Sequence, residues 1–180
     1  MKVKRSAESV RFMSLFETNL GSGAVVAGET GVVEVFLPFS GESADALTKR
    51  IRLLYPFAVK ESSVTREAAK SLQKYFAGER VTFDLPIDRG CFTPFQDEVY
   101  EAVSRVPYGS VKSYGEIAAE IGRPKAARGV GSAMARNPLP VIIPCHRVVG
   151  SSGNLTGYSA AGGVSSKKWL LLMEGVSITD

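Results

Sequence analysis

Sulfur and imidazole are scarce in this chain, whose 180 residues hold two cysteines, Cys91 and Cys145, and one histidine, His146. With no CxxC or HxxxH spacing among them, they fall short of the four ligands a closed structural zinc site takes, so no metal is expected. One disulfide is arithmetically possible, but an intracellular chain of this size needs no staple, and free thiols are the better reading. Long apolar runs are also missing. Nothing approaches the roughly 18 residues that span a bilayer, and the opening MKVKRSAESVRFMSLF has charges and no long apolar stretch of a leader. A chain with no membrane partner and an intracellular address is expected. No internal repeat or low-complexity segment occurs.

Acidic residues are absent between Glu120 and Glu174, although Arg123, Lys125, Arg128, Arg136, Arg147, Lys167 and Lys168 all fall there. The net charge is only +4, so the asymmetry carries more information than the total. Such a stretch predicts a positive surface, suited to a polyanion, or a solvated face with no partner.

What is present fits one medium domain or two small ones, with 44% hydrophobic residues to bury. The best candidate boundary is DRGCFTP, residues 88 to 94, which divides the chain into 1–88 and 89–180. In the first part, AVVAGETGVVEVFLP predicts a hairpin turning at Glu29-Thr30-Gly31. SADALTKRIRLLY and VTREAAKSLQKYFAG have helical spacing, the second starting near Thr65 and stopping at Gly78, and VTFDLPI predicts a return to strand.

The second part is better punctuated. Thr93-Pro94-Phe95-Gln96 supplies an N-cap threonine, proline at the first helical position and glutamine to close a capping box. The helix that follows should bury Phe95, Val99, Ala102 and Val103. Ser113-Tyr114-Gly115-Glu116 is a second capping box, predicting a short helix packed through Ile117 and Ile121. Gly122-Arg123-Pro124 then breaks the chain before a helix over KAARGVGSAMARN. Two short helices around a tight turn suggest a helix-turn-helix, although many such pairs bind no DNA.

That last helix predicts three stripes. Ala126, Val130, Ala133 and Met134 form a core face, and Lys125, Arg128, Ser132 and Arg136 a roughly opposite polar face. Between them Ala127, Gly131 and Ala135 are all small. Gly129 and Gly131 each cost about 1 kcal/mol of helix stability relative to alanine, which a close approach to another surface would offset. That surface is either a neighbouring helix or a nucleic-acid groove.

Next comes NPLPVIIPCHRVVG, in which prolines forbid helix and VIIP is apolar enough to be buried. Cys145 thus sits on a rigid element. A thiol is a good nucleophile only as thiolate, and histidine can remove its proton near neutral pH. Adjacent residues of a strand point to opposite faces, however. Cys145 and His146 therefore cooperate only if the backbone departs from extension or a water connects them; otherwise the pair is chance adjacency. Finally, SSKKWLLLMEG predicts a serine-capped helix closed by Gly175. Its last residue, Glu174, stands at the negative end of the helix dipole, where a base would be more stabilising. Orienting a histidine is one explanation, and a plain surface glutamate is the other.

The runs PFQDEVYEAVSRVPYGSVKSYGEIA, GRPKAARGVGSAMARNPLPVIIPCHRVV, GYS and KKWLLLMEG, in that order over residues 92 to 175, closely resemble the O6-alkylguanine-DNA alkyltransferases, the methylated-DNA-protein-cysteine methyltransferases. The resemblance implies an α/β (α+β) chain, with a ribonuclease-H-like α/β domain before a mainly helical domain bearing a helix-turn-helix. It implies repair of double-stranded DNA, with the alkyl group of O6-alkylguanine moved once and irreversibly to Cys145. His146 would act on Cys145 through a water, with Glu174 orienting the ring. Tyr114 would bond the flipped base and help protonate the leaving guanine, and Ser113 caps the helix that carries it. Arg128 would fill the vacated stack, with Ala127, Gly131 and Ala135 letting the helix sit in the minor groove and Lys125 on its basic edge. Asn137 would be the hinge to the active-site loop. The carbonyls of Cys145 and Val148 would accept from the guanine amino group, while Tyr158 and the Ser159 amide would wall the pocket and bond O6.

Two departures accompany the resemblance. Members with a structural zinc use cysteines and histidines of the first domain, which this chain lacks there; and Ala160 follows GYS where some members carry glycine, narrowing the pocket against benzyl-sized adducts. A cofactor-free monomer is expected, cytoplasmic with the nucleoid in a prokaryote or nuclear in a eukaryote. The other readings are a non-catalytic lesion sensor or DNA-binding regulator, which keeps no need of the cysteine, and a cysteine hydrolase, which would turn over.

Overall fold

The computed structural model describes residues 10–155 and 158–178. The chain divides into two compact units, Met1–Cys91 and Phe92–Asp180. The division falls three residues later than the boundary expected after residue 88. The extra residues stay with Asp88, whose Oδ1 accepts the Gly90 amide at 3.0 Å while its own amide donates to the Val32 carbonyl at 3.0 Å.

In the first unit β1 (Arg11–Thr18), β2 (Gly21–Ala27) and β3 (Val32–Phe36) run antiparallel, and β4 (Ala58–Lys60) pairs parallel to β1, giving the order β3-β2-β1-β4. The predicted hairpin is β2–β3. Because successive side chains alternate, β2 serves two cores. Ala24 and Val26 pack in one cluster with Leu47, Ile51 and Tyr55 of α1 (Ala44–Leu54) and its neighbouring turn. From β1, Ser14 bonds Thr65 at 2.9 Å and Phe16 stacks on Phe76 at 6.1 Å, so α2 (Ser63–Phe76) covers the other face. A strand covered on both sides reads as an unbroken run of small apolar residues, as GSGAVVA does. Opposite Phe16, Gly23 has no alternative: a Cβ there would stand 2.2 Å from the ring.

Three expectations for this unit need correction. Helix α2 begins two residues before Thr65, because Ser62 is its N-cap and Thr65 closes the capping box from the N3 position. VTFDLPI forms no strand; only Ile87 bridges to Val32. Strand β1, RFMSLFET, has no counterpart among the sequence readings, although it holds the centre of the sheet.

In the second unit α3 (Pro94–Ser104) starts in the predicted Thr93 capping box and buries Val99, Tyr100, Ala102 and Val103, while Phe95 stays half-buried. Helix α4 (Tyr114–Glu120) starts in the Ser113 box, and α5 (Ala127–Met134) follows. Helix α5 is shorter than KAARGVGSAMARN at both ends. It has no side-chain N-cap, and Pro138 disfavours helical backbone at Asn137. A short parallel pair, β5 (Lys112–Ser113) with β6 (Val148–Val149), fixes the start of α4 beside the cysteine turn. Helix α6 (Gly163–Met173) is capped by left-handed Gly162 rather than by serine; Ser166 instead donates back to the carbonyls of Ala161 and Gly163 at 2.8 Å. No helix among the described residues is long and apolar enough to cross a membrane.

Candidate functional site

The segment before Cys145 is a buried, tightly bonded loop. Asn137 staples it, donating from Nδ2 to the Ile143 carbonyl at 2.8 Å and accepting the Leu139 amide on Oδ1 at 3.0 Å. Inside this loop Val141 has a φ of 76°, an outlier for a β-branched residue, held by burial at 1% exposure. Residues Cys145–Arg147 then form a single 3-10 turn rather than a strand, with the Arg147 amide on the Pro144 carbonyl at 2.9 Å. The strand alternation that would have set Cys145 and His146 on opposite faces therefore does not apply.

Cys145 is 4% exposed, and His146 and Glu174 are buried with it. Glu174 is the C-cap residue of α6 and its Oε1 accepts from His146 Nε2 at 2.8 Å. Burial lowers the proton affinity of His146 below its ordinary value; Glu174 opposes that, and the nearby charges of Arg147 and Lys167 reinforce it. The ring is consequently neutral near pH 7. Burial also pushes the Cys145 thiol up, against the side chains of Asn137 and Tyr158 and the charge of Lys167, so the sulfur rests as a thiol beside a neutral base.

Two basic residues that sequence reasoning assigned to a positive surface are internal. Arg147 is 8% exposed and donates to Glu174 and to the Val106 carbonyl. Lys167 is 0% exposed, donates to the Val148 carbonyl at 2.6 Å, and lies 5.8 Å and 6.0 Å from the rings of Tyr114 and Tyr158. Arg123 is held by Glu98 at 3.0 Å. The positive surface is thereby reduced, and on or beside α5 the exposed cations are Lys125, Arg128 and Arg136. Arg136 bonds the Ser132 hydroxyl on the same face. The signal for Lys167 and Arg147 was weak but present: each stands in a pattern of buried neighbours, the WLLLM helix and the VIIPC loop.

The remaining site residues gather in the same unit. Tyr114 is the first residue of α4 and Ser113 its N-cap, the hydroxyl accepting the Glu116 amide at 3.1 Å. The Tyr158 hydroxyl is buried, and burial with the adjacent Cys145 raises its proton affinity well above the usual tyrosine value. Ser159 donates to the Ala135 carbonyl at 2.7 Å, tying this loop to the end of α5. The carbonyls of Cys145 and Val148 each already accept one internal donor, the Val148 amide and the Lys167 ammonium, and a carbonyl has a second lone pair. Along α5, Ala127 and Gly131 are half-buried and Ala135 exposed. The two glycines separate: a Cβ on Gly129 would press the Phe95 ring at 3.1 Å, whereas one on Gly131 would meet the Tyr114 ring at an ordinary 3.8 Å. Internal packing thus accounts for Gly129 and not for Gly131.

An α/β unit followed by a helical unit with a helix-turn-helix and a buried Cys-His-Glu chain defines the two-domain O6-methylguanine methyltransferase class. Residues 12–89 match the family model for the 6-O-methylguanine DNA methyltransferase ribonuclease-like domain, and residues 94–176 that for its DNA-binding domain. The constitutive methylated-DNA–protein-cysteine methyltransferase of Bacillus subtilis is 50% identical over 121 residues, 67% of this chain and 72% of that protein. That of Methanosarcina acetivorans is 48% identical over 118 residues, 65% and 73% of the two chains. Among solved structures, the O6-methylguanine methyltransferase of Mycobacterium tuberculosis superposes with a TM-score of 0.72 at 34% identity over 95% of this chain and 97% of that one. The Mycobacterium tuberculosis OGT in complex with DNA gives 0.72 at 35% identity, over 91% and 93%. The chain belongs to the methylated-DNA–protein-cysteine methyltransferase family.

Proposed function

We propose that this protein repairs double-stranded DNA by moving the alkyl group of O6-alkylguanine to its own Cys145, once per molecule. The observation that carries this reading is a buried thiol on a rigid 3-10 turn, backed by a neutral histidine whose Nε2 is held by Glu174 at 2.8 Å. The Cys145 proton passes to His146 through a water, and the sulfur attacks the alkyl carbon in line. The C–S bond forms as the C–O6 bond breaks, and its electron pair leaves with guanine, which takes a proton from Tyr114. His146 returns its proton to Tyr114 through solvent. A thioether has no ready route back to thiolate, so the protein is spent.

A guanine inside a duplex cannot present O6 to a sulfur, so the nucleotide must be flipped, at a cost of a few kcal/mol. Arg128, exposed on α5, would fill the vacated stack, with Ala127, Gly131 and Ala135 facing the minor groove and Lys125 on its rim. Asn137, Val148, Tyr158 and Ser159 line the base pocket in this reading. All these residues lie between Phe92 and Asp180, which supports the second unit as the transferase and a monomer as the active form. The protein would act where the DNA is, in the cytoplasm and nucleoid of a prokaryote or the nucleus of a eukaryote.

The test is intact-protein mass after incubation with duplex DNA containing O6-methylguanine, followed by peptide mapping. One methyl increment on Cys145 is expected. Tight binding with no increment would leave a lesion sensor, and many equivalents of product per protein would mean a hydrolase.

A further inference from the structure

Arg147 stands two residues after Cys145 on the same 3-10 turn, and its guanidinium is bonded through three nitrogens. Nε donates to Glu174 Oε2 at 2.9 Å, Nη2 to Oε1 at 2.9 Å, and Nη1 to the Val106 carbonyl at 2.8 Å. This planar fork on a carboxylate is a geometry that lysine cannot reproduce. His146 Nε2 shares Oε1 with it at 2.8 Å, and the Gly109 amide reaches Oε2 at 3.0 Å. Two donors on each oxygen match the roughly four lone-pair directions of a carboxylate. A carboxylate so held cannot rotate.

We propose that Arg147 is a positioning residue: it holds Glu174 as a fixed, ionised acceptor and so commits His146 to the tautomer with its proton on Nε2 and its lone pair on Nδ1. Its bearing on catalysis rests on the reading of Cys145 as nucleophile, whereas its geometry does not. The tautomer of a histidine is set by the bond its other nitrogen makes, and that bond is only as definite as the orientation of the acceptor. The groups that face His146 are Glu174 and Lys167 from α6 and Cys145 and Arg147 from its own turn; Tyr158 faces the Cys145 sulfur from its loop. Glu174 favours a proton on the ring, and Arg147 and Lys167 oppose it. Without the fork Glu174 would be released to pair with an imidazolium, and the ring would hold a proton when it should accept one.

A merely structural Arg147, tying the turn to the ends of α3 and α6, would lower stability when replaced and leave the ring chemistry alone. The two are separable because His146 is the sole histidine, so histidine labelled with nitrogen-15 gives ring signals that need no assignment. In the unmodified protein the neutral ring should show a protonated Nε2 and an unprotonated Nδ1. Arg147→Gln should show both tautomers and roughly tenfold higher proton affinity, moving the titration midpoint to higher pH. Arg147→Lys, which keeps the charge without the fork, should restore the midpoint in part and the tautomer not at all. A proton on Nδ1 in the unmodified protein would overturn the proposal with no variant needed. So would a folded Arg147→Gln with unchanged tautomer and midpoint. Neither readout uses alkylated DNA. If the repair reading fails, methyl transfer is absent while the ring signals stand; if the Arg147 proposal fails, the unmodified ring shows the other tautomer or the ring signals do not respond to Arg147→Gln, and methyl transfer by the unmodified protein is unaffected.

Discussion

Lys167 donates its ammonium to the carbonyl oxygen of Val148 at 2.6 Å, wholly inside the protein. In the sequence the lysine reads as part of a positive surface and the carbonyl as an acceptor for a guanine amino group. In the fold each is the other's partner. The ammonium also fixes the rings of Tyr114 and Tyr158, two walls of the pocket proposed for the base, at about 6 Å from one charge.

Burial lowers the Lys167 pKa to about 8, whereas in an unfolded chain it lies near 10.4. Between those values the unfolded chain binds more protons, so the contribution of this group to stability rises with pH from about 8 to about 10 and is lowest below 8. Lys167→Met should remove that rise. Urea unfolding at pH 8 and pH 10 should show the variant losing ground to the unmodified protein as pH increases, by up to about 3 kcal/mol. A difference independent of pH would show that the ammonium carries no burial cost.

His146 has its proton affinity lowered by burial, so it is neutral through the neutral range and takes a proton only below the ordinary histidine value of about 6.5. Single-turnover methyl transfer should therefore fall as pH drops below that value. His146→Gln should lose the acid limb and slow transfer by roughly 100- to 10,000-fold, the usual worth of a general base. Full-rate transfer by this variant would remove His146 from the proton path.

Arg128 is exposed on α5, where a structural role is not evident. Arg128→Ala should lower transfer from O6-methylguanine in duplex DNA more than transfer from the free alkylated base, with stability within about 0.5 kcal/mol of the unmodified protein. Cys145→Ala, expected to keep duplex affinity and lose transfer, supplies the binding half of the comparison. Equal losses on both substrates would argue against an arginine that fills the stack.

Gly131 distinguishes a stripe built for packing from one built for a groove. Its replacement by alanine meets only an ordinary 3.8 Å contact with Tyr114, so the helix should gain up to about 1 kcal/mol in thermal or urea unfolding. The added methyl should weaken duplex affinity at the same time. A gain in stability with unchanged affinity would assign the stripe to helix economy alone. Gly129→Ala is the contrasting case, because its methyl stands 3.1 Å from the Phe95 ring.

Legibility followed the range of the interaction. The Thr93 and Ser113 capping boxes are written in four consecutive residues, and both helices begin where those residues say. The hairpin at Glu29-Thr30-Gly31 is equally local. Strand β1 is hard to read from sequence because RFMSLFET is covered on both faces and shows no clean alternation, and a serine cap on α6 is a misleading signal because Ser166 bonds backward to the carbonyls of Ala161 and Gly163. Cys145, His146 and Glu174 are each candidates on local residue chemistry, and the resemblance joins them into one relay. That they could meet was not readable from spacing, since a strand through PCHRV would have parted the first two.

By itself the sequence determined where helices start, that the thiol sits on a proline-bracketed rigid segment, and which family the motifs belong to, because each depends on residue types within a few positions. Only the tertiary structure decided which charges are surface and which are internal. Arg147 and Lys167 look like any other basic residues until Glu174, 27 positions away, and the Val148 carbonyl, 19 away, compensate the desolvation that burial costs them. A charge enters a core only where partners distant in the chain converge, and that convergence is a property of the fold.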